Sequence, residues 1–315
     1  VDSAMLEQLL ADQAGLISRA QLLSVGGRHD LDRLVRRREL TRVHPRVFVN
    51  HTGPLSDEQR AWAAVLYAGG PGQAALYLGS ALPDPDGDAP VHVAIDESRR
   101  VPSLPAVRVH RVLRLAPLVR WNVSPPRVRV EPNTLELVHR AATEMDVVRL
   151  LTDACNGRHT HPQRLRPALA ERKRMRRRPF VAALLDDIEA GACSVLEEAY
   201  LTRVERAHRL PEGRRQVRRE GERGTEYRDV EYAEFGVEVE LDGRTGHLGW
   251  DKEGRDADRD LDDLTAGRVT ARVRWAQVFQ RECQTAERIG RLLARRGWTG
   301  RPQPCGPTCT LRVAA

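Results

Sequence analysis

Aromatic side chains are scarce in this chain: Phe, Trp and Tyr make up 4% of its 315 residues. Its cores must therefore rest on Leu, Val and Ala. No apolar run approaches the roughly 20 residues that a membrane helix needs, so a helical membrane span is not expected. Val1 to Met5 carry neither a basic flank nor a continuous apolar stretch, and no signal peptide is expected. Cysteine is sparse and odd in number, at five. Cys155, Cys193 and Cys283 fall in helical contexts and read as buried thiols. Cys305-Gly-Pro-Thr-Cys309 has the form of half a zinc site. No second Cys/His pair at metal spacing accompanies it along the sequence, and the expectation is a plain tail. These features suit a reducing cytoplasm.

Charge is abundant. Lys and Arg total 51 against 44 Asp and Glu, a net +7 with a pI near 9.6, and Arg far outnumbers Lys. The planar guanidinium suits phosphate, although a GC-rich coding background enriches Arg as well. An acidic cluster from Asp251 to Asp263 stands out from the basic remainder. A polyanion partner fits this balance, with the acidic patch either holding metal or facing solvent.

From Val237 to Asp242 the sequence alternates strictly, with Val237, Val239 and Leu241 on one face and Glu238, Glu240 and Asp242 on the other. Residues 227–232 read as a partner strand, joined through a turn at Ala233-Glu234-Phe235-Gly236. A turn centred between Glu234 and Phe235 sets Asp229 opposite Glu240, with Cβ atoms roughly 5 Å apart. Crowded carboxylates repel one another, and an oxygen-ligated ion, Mg2+ or Mn2+, would relieve that. An ordinary half-exposed hairpin with an acidic outer face is the alternative.

Asp229, then Glu240-Leu241-Asp242-Gly243, then His247 resembles the D…ExDG…H signature of very-short-patch-repair-like endonuclease domains, within the PD-(D/E)xK restriction-endonuclease-like superfamily. Ser194-Val195-Leu196-Glu197 is similar to the S-x-x-E that opens the first helix of such domains, and Leu210-Pro211 to their turn. Arg259-Asp260, Gly267 and the strand from Val269 to Trp275 match downstream, so the resemblance covers about residues 190–297. It implies that Asp229 and Glu240 are metal ligands and that Glu197 assists from the helix. Asp242, which the resemblance places among the catalytic residues, stands where the superfamily usually has Lys. His247 is implied as general base or phosphate contact; a polar residue in a Gly-rich loop is the other reading. Arg259 and Arg272 read as phosphate contacts or as solvated, salt-bridged side chains.

The first 52 residues read as a unit of their own. A helical stripe runs from Leu6 to Gln13. Ser18 can cap a second helix that closes at Gly26-Gly27. A third spans Asp30 to Arg38, with Leu31, Leu34 and Val35 inward and Arg33, Arg36 and Arg37 outward. Leu40–His44 and Val47–Val49 then form a small hairpin. Three helices and a wing make a winged helix-turn-helix whose third helix suits the major groove. The stretches Gly15–Leu22 and Val43–Val49 resemble the N-terminal domain of AbiEi-type antitoxins of type IV toxin–antitoxin systems, which implies DNA binding and autoregulation. Arg28, Arg33, Arg36, Arg37, Arg42 and Arg46 are the expected phosphate contacts, against the alternative of a three-helix domain used for protein contacts.

Between 53 and 189, helices are expected at 57–68 and 134–154, and strands at Val91–Ile95, Val107–His110 and Arg127–Val130. Pro83 to Asp88 reads as a loop. The segment resembles the middle of the same antitoxin-like proteins, with Tyr77-Leu78-Gly79-Ser80 replacing their usual Ser-His-Ala-like helix start. A dense basic run, Arg164 to Arg178, reads either as a track for a DNA backbone or as a solvated interdomain helix. The expected fold is therefore mixed α/β (α+β) in three parts and a tail. These are a winged helix-turn-helix (1–52), an α/β middle domain (53–189), a restriction-endonuclease-like domain with a central mixed sheet (190–297) and residues 298–315. The expected function is a metal-dependent DNA endonuclease or nickase. The alternative is an AbiEi-type antitoxin or autoregulator, with a cognate toxin as partner, in which the nuclease-like domain is a scaffold.

Overall fold

The structure is a computed structural model that describes residues 2–311 except 192, 222–223, 244–264 and 266. It is a mixed α/β protein whose contacts divide it into two compact units, Val1–Leu137 and Val138–Ala315. The division at 137/138 falls within the stretch expected as the middle domain.

The first unit opens with α1 (Ser3–Asp12), β1 (Leu16–Ser18), α2 (Arg19–Val25), α3 (Arg28–Arg36), β2 (Thr41–His44) and β3 (Val47–Val49). Ser18 caps α2 through a reciprocal box: its Oγ accepts from Gln21 N at 3.2 Å, and Gln21 Oε1 accepts from Ser18 N at 2.9 Å. The strands form an antiparallel sheet in the order β1-β3-β2; β1 was not anticipated from the sequence. Alternation splits β3 between two cores. Phe48 joins Ile17, Leu22, Leu31, Leu34 and Leu40 under the helices. Val47 and Val49 instead join Leu16 and the apolar face of α4 (Asp57–Ala68). Val35, expected inward, is exposed, because Leu31 and Leu34 already fill the stripe that α3 turns to this core.

Past α4 come β4 (Ala74–Leu76), β5 (Val91–Asp96), β6 (Val107–Val112), β7 (Val119–Arg120) and β8 (Arg127–Val128), a sheet ordered β6-β5-β4-β8-β7. The division between the units falls inside α5 (Val130–Arg140). The expected single helix over 134–154 is two, because Thr143 caps α6 (Glu144–Asn156) through a box with Asp146 and breaks the run.

In the second unit α6, α7 (Pro162–Glu171) and α8 (Arg178–Ala190) precede α9 (Ser194–Ala199), which continues as a π-helical stretch, Tyr200–Arg206. Then come β9 (Arg214–Gly221), β10 (Gly224–Tyr232), β11 (Val237–Asp242) and β12 (Val269–Arg274), followed by α10 (Trp275–Phe279) and α11 (Glu282–Arg295). The sheet order is β12-β11-β10-β9, antiparallel except for the parallel β11–β12 pair. The basic run 164–178 is no continuous helix. Arg166 pairs with Asp186 and Glu189 of α8, while Arg177 donates to the carbonyls of Ala141 and Ala142. No helix among the described residues is long and apolar enough to cross a membrane.

Candidate functional site

The β10–β11 hairpin has the register expected from the turn: Val230 pairs with Val239, Glu231 with Glu238 and Tyr232 with Val237, around a turn closed by Gly236 at φ 61°. One more step along this ladder would set Asp229 against Glu240, but the pairing stops at Val230. On the other edge of β10, Arg228 pairs with Val217 and Val230 with Arg215, and Gln216 between them has φ 46°. That left-handed backbone is costly for a residue with a Cβ. The irregularity changes which side chains meet, and the neighbour of Glu240 is Arg228.

Arg228 is buried, with its Nε 3.1 Å from Glu238 in an ion pair and its Nη1 donating to Glu240 at 3.0 Å. Parallel β12 completes the set. Arg268 reaches Glu238 at 3.4 Å, Arg272 reaches Glu240 at 3.3 Å and Arg274 reaches Asp242 at 3.2 Å. The carboxylate repulsion inferred from the alternation is thus relieved by guanidinium groups. Glu238, 1% exposed, is the deepest of the three acids, and its charge is tolerable there because two arginines meet it. Arg272 serves this face as a salt-bridged side chain.

Asp229 turns instead toward α9. Its Oδ2 accepts the Leu241 backbone N–H at 2.7 Å, and its Oδ1 lies 3.5 Å from Gln216 Nε2. The same Nε2 donates to Glu197 Oε1 at 3.0 Å, so one amide spans two carboxylates. Glu197 is positioned from behind: buried Asp187 accepts from Ser194 Oγ and from Val195 N, which anchors the first turn of α9. Burial pushes the Glu197 carboxyl above its ordinary range; the Gln216 bond works against this, and the charges of Asp229 and Asp187 add to it. Half-buried Cys193 stands in the same field, its thiol raised by burial and by Asp229, Asp187 and Glu197. The glycine after Asp242 has a packing reason, since a Cβ on Gly243 would lie 2.2 Å from Cys193 Sγ. The Gly243 carbonyl also accepts from Trp275 Nε1 at 2.8 Å.

The residues expected to be catalytic therefore sort into two groups. Glu197 and Asp229 come together on the α9 side, and Glu240 and Asp242 are held in the arginine pairs. Among the described residues the carboxylates of Glu197, Asp229 and Glu240 do not gather into one three-ligand cluster. His247, Arg259, Asp260 and the acidic stretch 251–263 lie outside the described residues.

In the first unit the six arginines expected to meet phosphate are all exposed. Arg28, Arg33 and Arg36 ride on α3 with Arg37 at its end, Arg42 lies on β2 and Arg46 in the β2–β3 turn at φ 64°. Arg33 is paired with Asp30 at 3.1 Å and Arg37 with Glu39 at 3.8 Å. Both pairs are at the surface, where such contacts are weak and exchangeable.

Sequence reasoning missed one convergence. His208, Cys283, Cys305 and Cys309 bring their ligand atoms within 4.8 Å of one another. Only the Cys305/Cys309 spacing signalled it, because the other two residues come from the turn after the π-helical stretch and from the start of α11. No model of a known protein family matches the chain, and no curated protein matches it.

Proposed function

We propose that the protein is a metal-dependent DNA endonuclease or nickase, with an N-terminal winged-helix module that binds duplex DNA. The observation that carries the reading is the Glu197–Asp229 pair. Two carboxylates from a helix and a neighbouring strand converge on one hydrogen-bond donor, the position a cation would take between them. Several features support the restriction-endonuclease-like reading of the second unit. A helix is followed by three antiparallel strands and then by a strand parallel to the third, and the acids lie on the first helix and the second strand. The order helix, strand, helix, helix, strand, strand in residues 3–49 supports the winged helix, with the arginines of α3 turned outward.

Glu197 and Asp229 would hold Mg2+ or Mn2+, hard ions suited to oxygen ligands. Such an ion supplies Lewis acidity for the scissile phosphate and for a water of lowered pKa. With such an ion bound, Glu197 would be placed to take up a proton from a water beside it. Asp229, fixed by the Leu241 N–H, keeps its orientation while doing so.

A second reading, a DNA-binding antitoxin or autoregulator that keeps the domain as a scaffold, is favoured by the arginine pairs at Glu240 and Asp242. Purified protein with supercoiled plasmid and Mg2+ or Mn2+ separates the two. The nuclease reading expects nicking that Asp229→Asn or Glu197→Gln abolishes while thermal unfolding stays cooperative. Nicking that survives both substitutions, or wild type inert with either metal on plasmid, linear and single-stranded DNA, transfers the case to the scaffold.

A further inference from the structure

We propose that His208, Cys283, Cys305 and Cys309 form a structural zinc site that fastens the C-terminal segment to the second unit. The ligand set is three thiols and an imidazole, a soft combination that selects Zn2+ over hard ions such as Mg2+. Their spacing suits one tetrahedral ion. Cys283 Sγ and Cys305 Sγ are 3.7 Å apart, and Cys309 Sγ and His208 Nε2 are 3.8 Å apart. Bonds of about 2.3 Å to sulfur and 2.0–2.1 Å to nitrogen span tetrahedral edges of about 3.8 Å between sulfurs and about 3.6 Å between sulfur and nitrogen. A Cys283–Cys305 disulfide would need the sulfurs at about 2.05 Å.

The imidazole is prepared for this role. His208 is fully buried, and its Nδ1 lies 3.1 Å from the Val204 carbonyl. A carbonyl only accepts, so the proton sits on Nδ1 and the Nε2 lone pair faces Cys309. This is the outer-shell bond that orients metal-bound histidines. The four ligands come from three places: the turn after the π-helical stretch, the start of α11, and the Cys305–Cys309 loop. That loop is folded as a turn, with Cys309 N donating to Gly306 O at 3.1 Å.

The segment leading to the loop is docked as well. Gln303 N donates to the His208 carbonyl at 2.8 Å. A Cβ on Gly290 of α11 would lie 2.3 Å from Pro302 Cγ, so the glycine leaves room for the crossing chain. Binding converts three thiols to thiolates with release of their protons, which leaves the site at net −1 with a neutral imidazole.

The test uses the full chain expressed with zinc and purified under reducing conditions. Elemental analysis should give one zinc per chain, and Co2+ exchanged into the protein should give the visible bands and sulfur charge transfer of a tetrahedral thiolate site. Cys305→Ser/Cys309→Ser, at positions that are not deeply buried, should lose the zinc and the cobalt spectrum. Cys155→Ser and Asp229→Asn should keep both, which separates this site from the acidic pair. Wild type that takes up no zinc while its thiols remain titratable, a Cys283–Cys305 disulfide in its place, or equal zinc in the double variant would each overturn the proposal.

Discussion

Glu197 is half-buried against Asp229 and Asp187 and held by Gln216. Because burial raises its carboxyl in the folded state, the fold binds the proton more tightly than the unfolded chain does. The contribution to stability is fully present below the ordinary carboxyl value of 4.5 and is lost as pH rises through the higher folded value. Glu197→Gln removes that penalty. Denaturation midpoints measured from pH 4 to 8 should show the variant gaining on wild type as pH rises, by about 1 kcal/mol at most for so partly exposed a group. A gap that instead widens toward acid would mean that the carboxylate form is the one stabilised here.

At the scale of elements, the hairpin and its parallel neighbour are joined by guanidinium groups as well as by backbone bonds. Arg228 is 4% exposed and meets both Glu238 and Glu240. Arg228→Ala leaves Glu238 with a buried charge short of a partner, which costs about 3–5 kcal/mol. Replacing both members of the pair, as in Arg228→Met/Glu238→Leu, should recover most of the loss, since an apolar pair of similar size avoids desolvating two charges. Urea unfolding of the single and double variants measures both effects. The double variant also carries a functional outcome: Glu240 loses Arg228 and keeps Arg272 without loss of the fold.

The whole molecule divides at 137/138, and this sets what can be cut away. Leu16, Val47 and Val49 share a buried cluster with Trp62, Ala63, Val65 and Leu66 of α4 and with β4 and β5. A fragment ending at residue 52 exposes that apolar surface. It should give poorly dispersed amide spectra and no cooperative melt, whereas residues 1–140, which include all of α5, should fold and bind duplex DNA. The affinity of the longer fragment should fall steeply with salt, and Arg36→Ala on α3 should reduce the slope by about one counterion. A fragment 1–52 that melts cooperatively would show that the helices and the β2–β3 hairpin need no support from α4.

Short-range regularities were written in the sequence and the structure follows them. The Val237–Asp242 alternation, the Ala233–Gly236 turn and the Ser18 cap each act over a few residues, and together they determined the hairpin, its register and the start of α2. Tertiary structure decided what the acidic face means. The irregularity at Gln216 and Asp229 turns one carboxylate toward α9, and the arginines that neutralise the others arrive on β12, 32 residues beyond Glu240 in the case of Arg272. The same holds for His208 and Cys309, 101 residues apart and in contact only because the chain returns across α11. Periodicity reports which way a side chain points within its own element. Which charge or ligand waits there depends on the element packed beside it, and no local pattern encodes that.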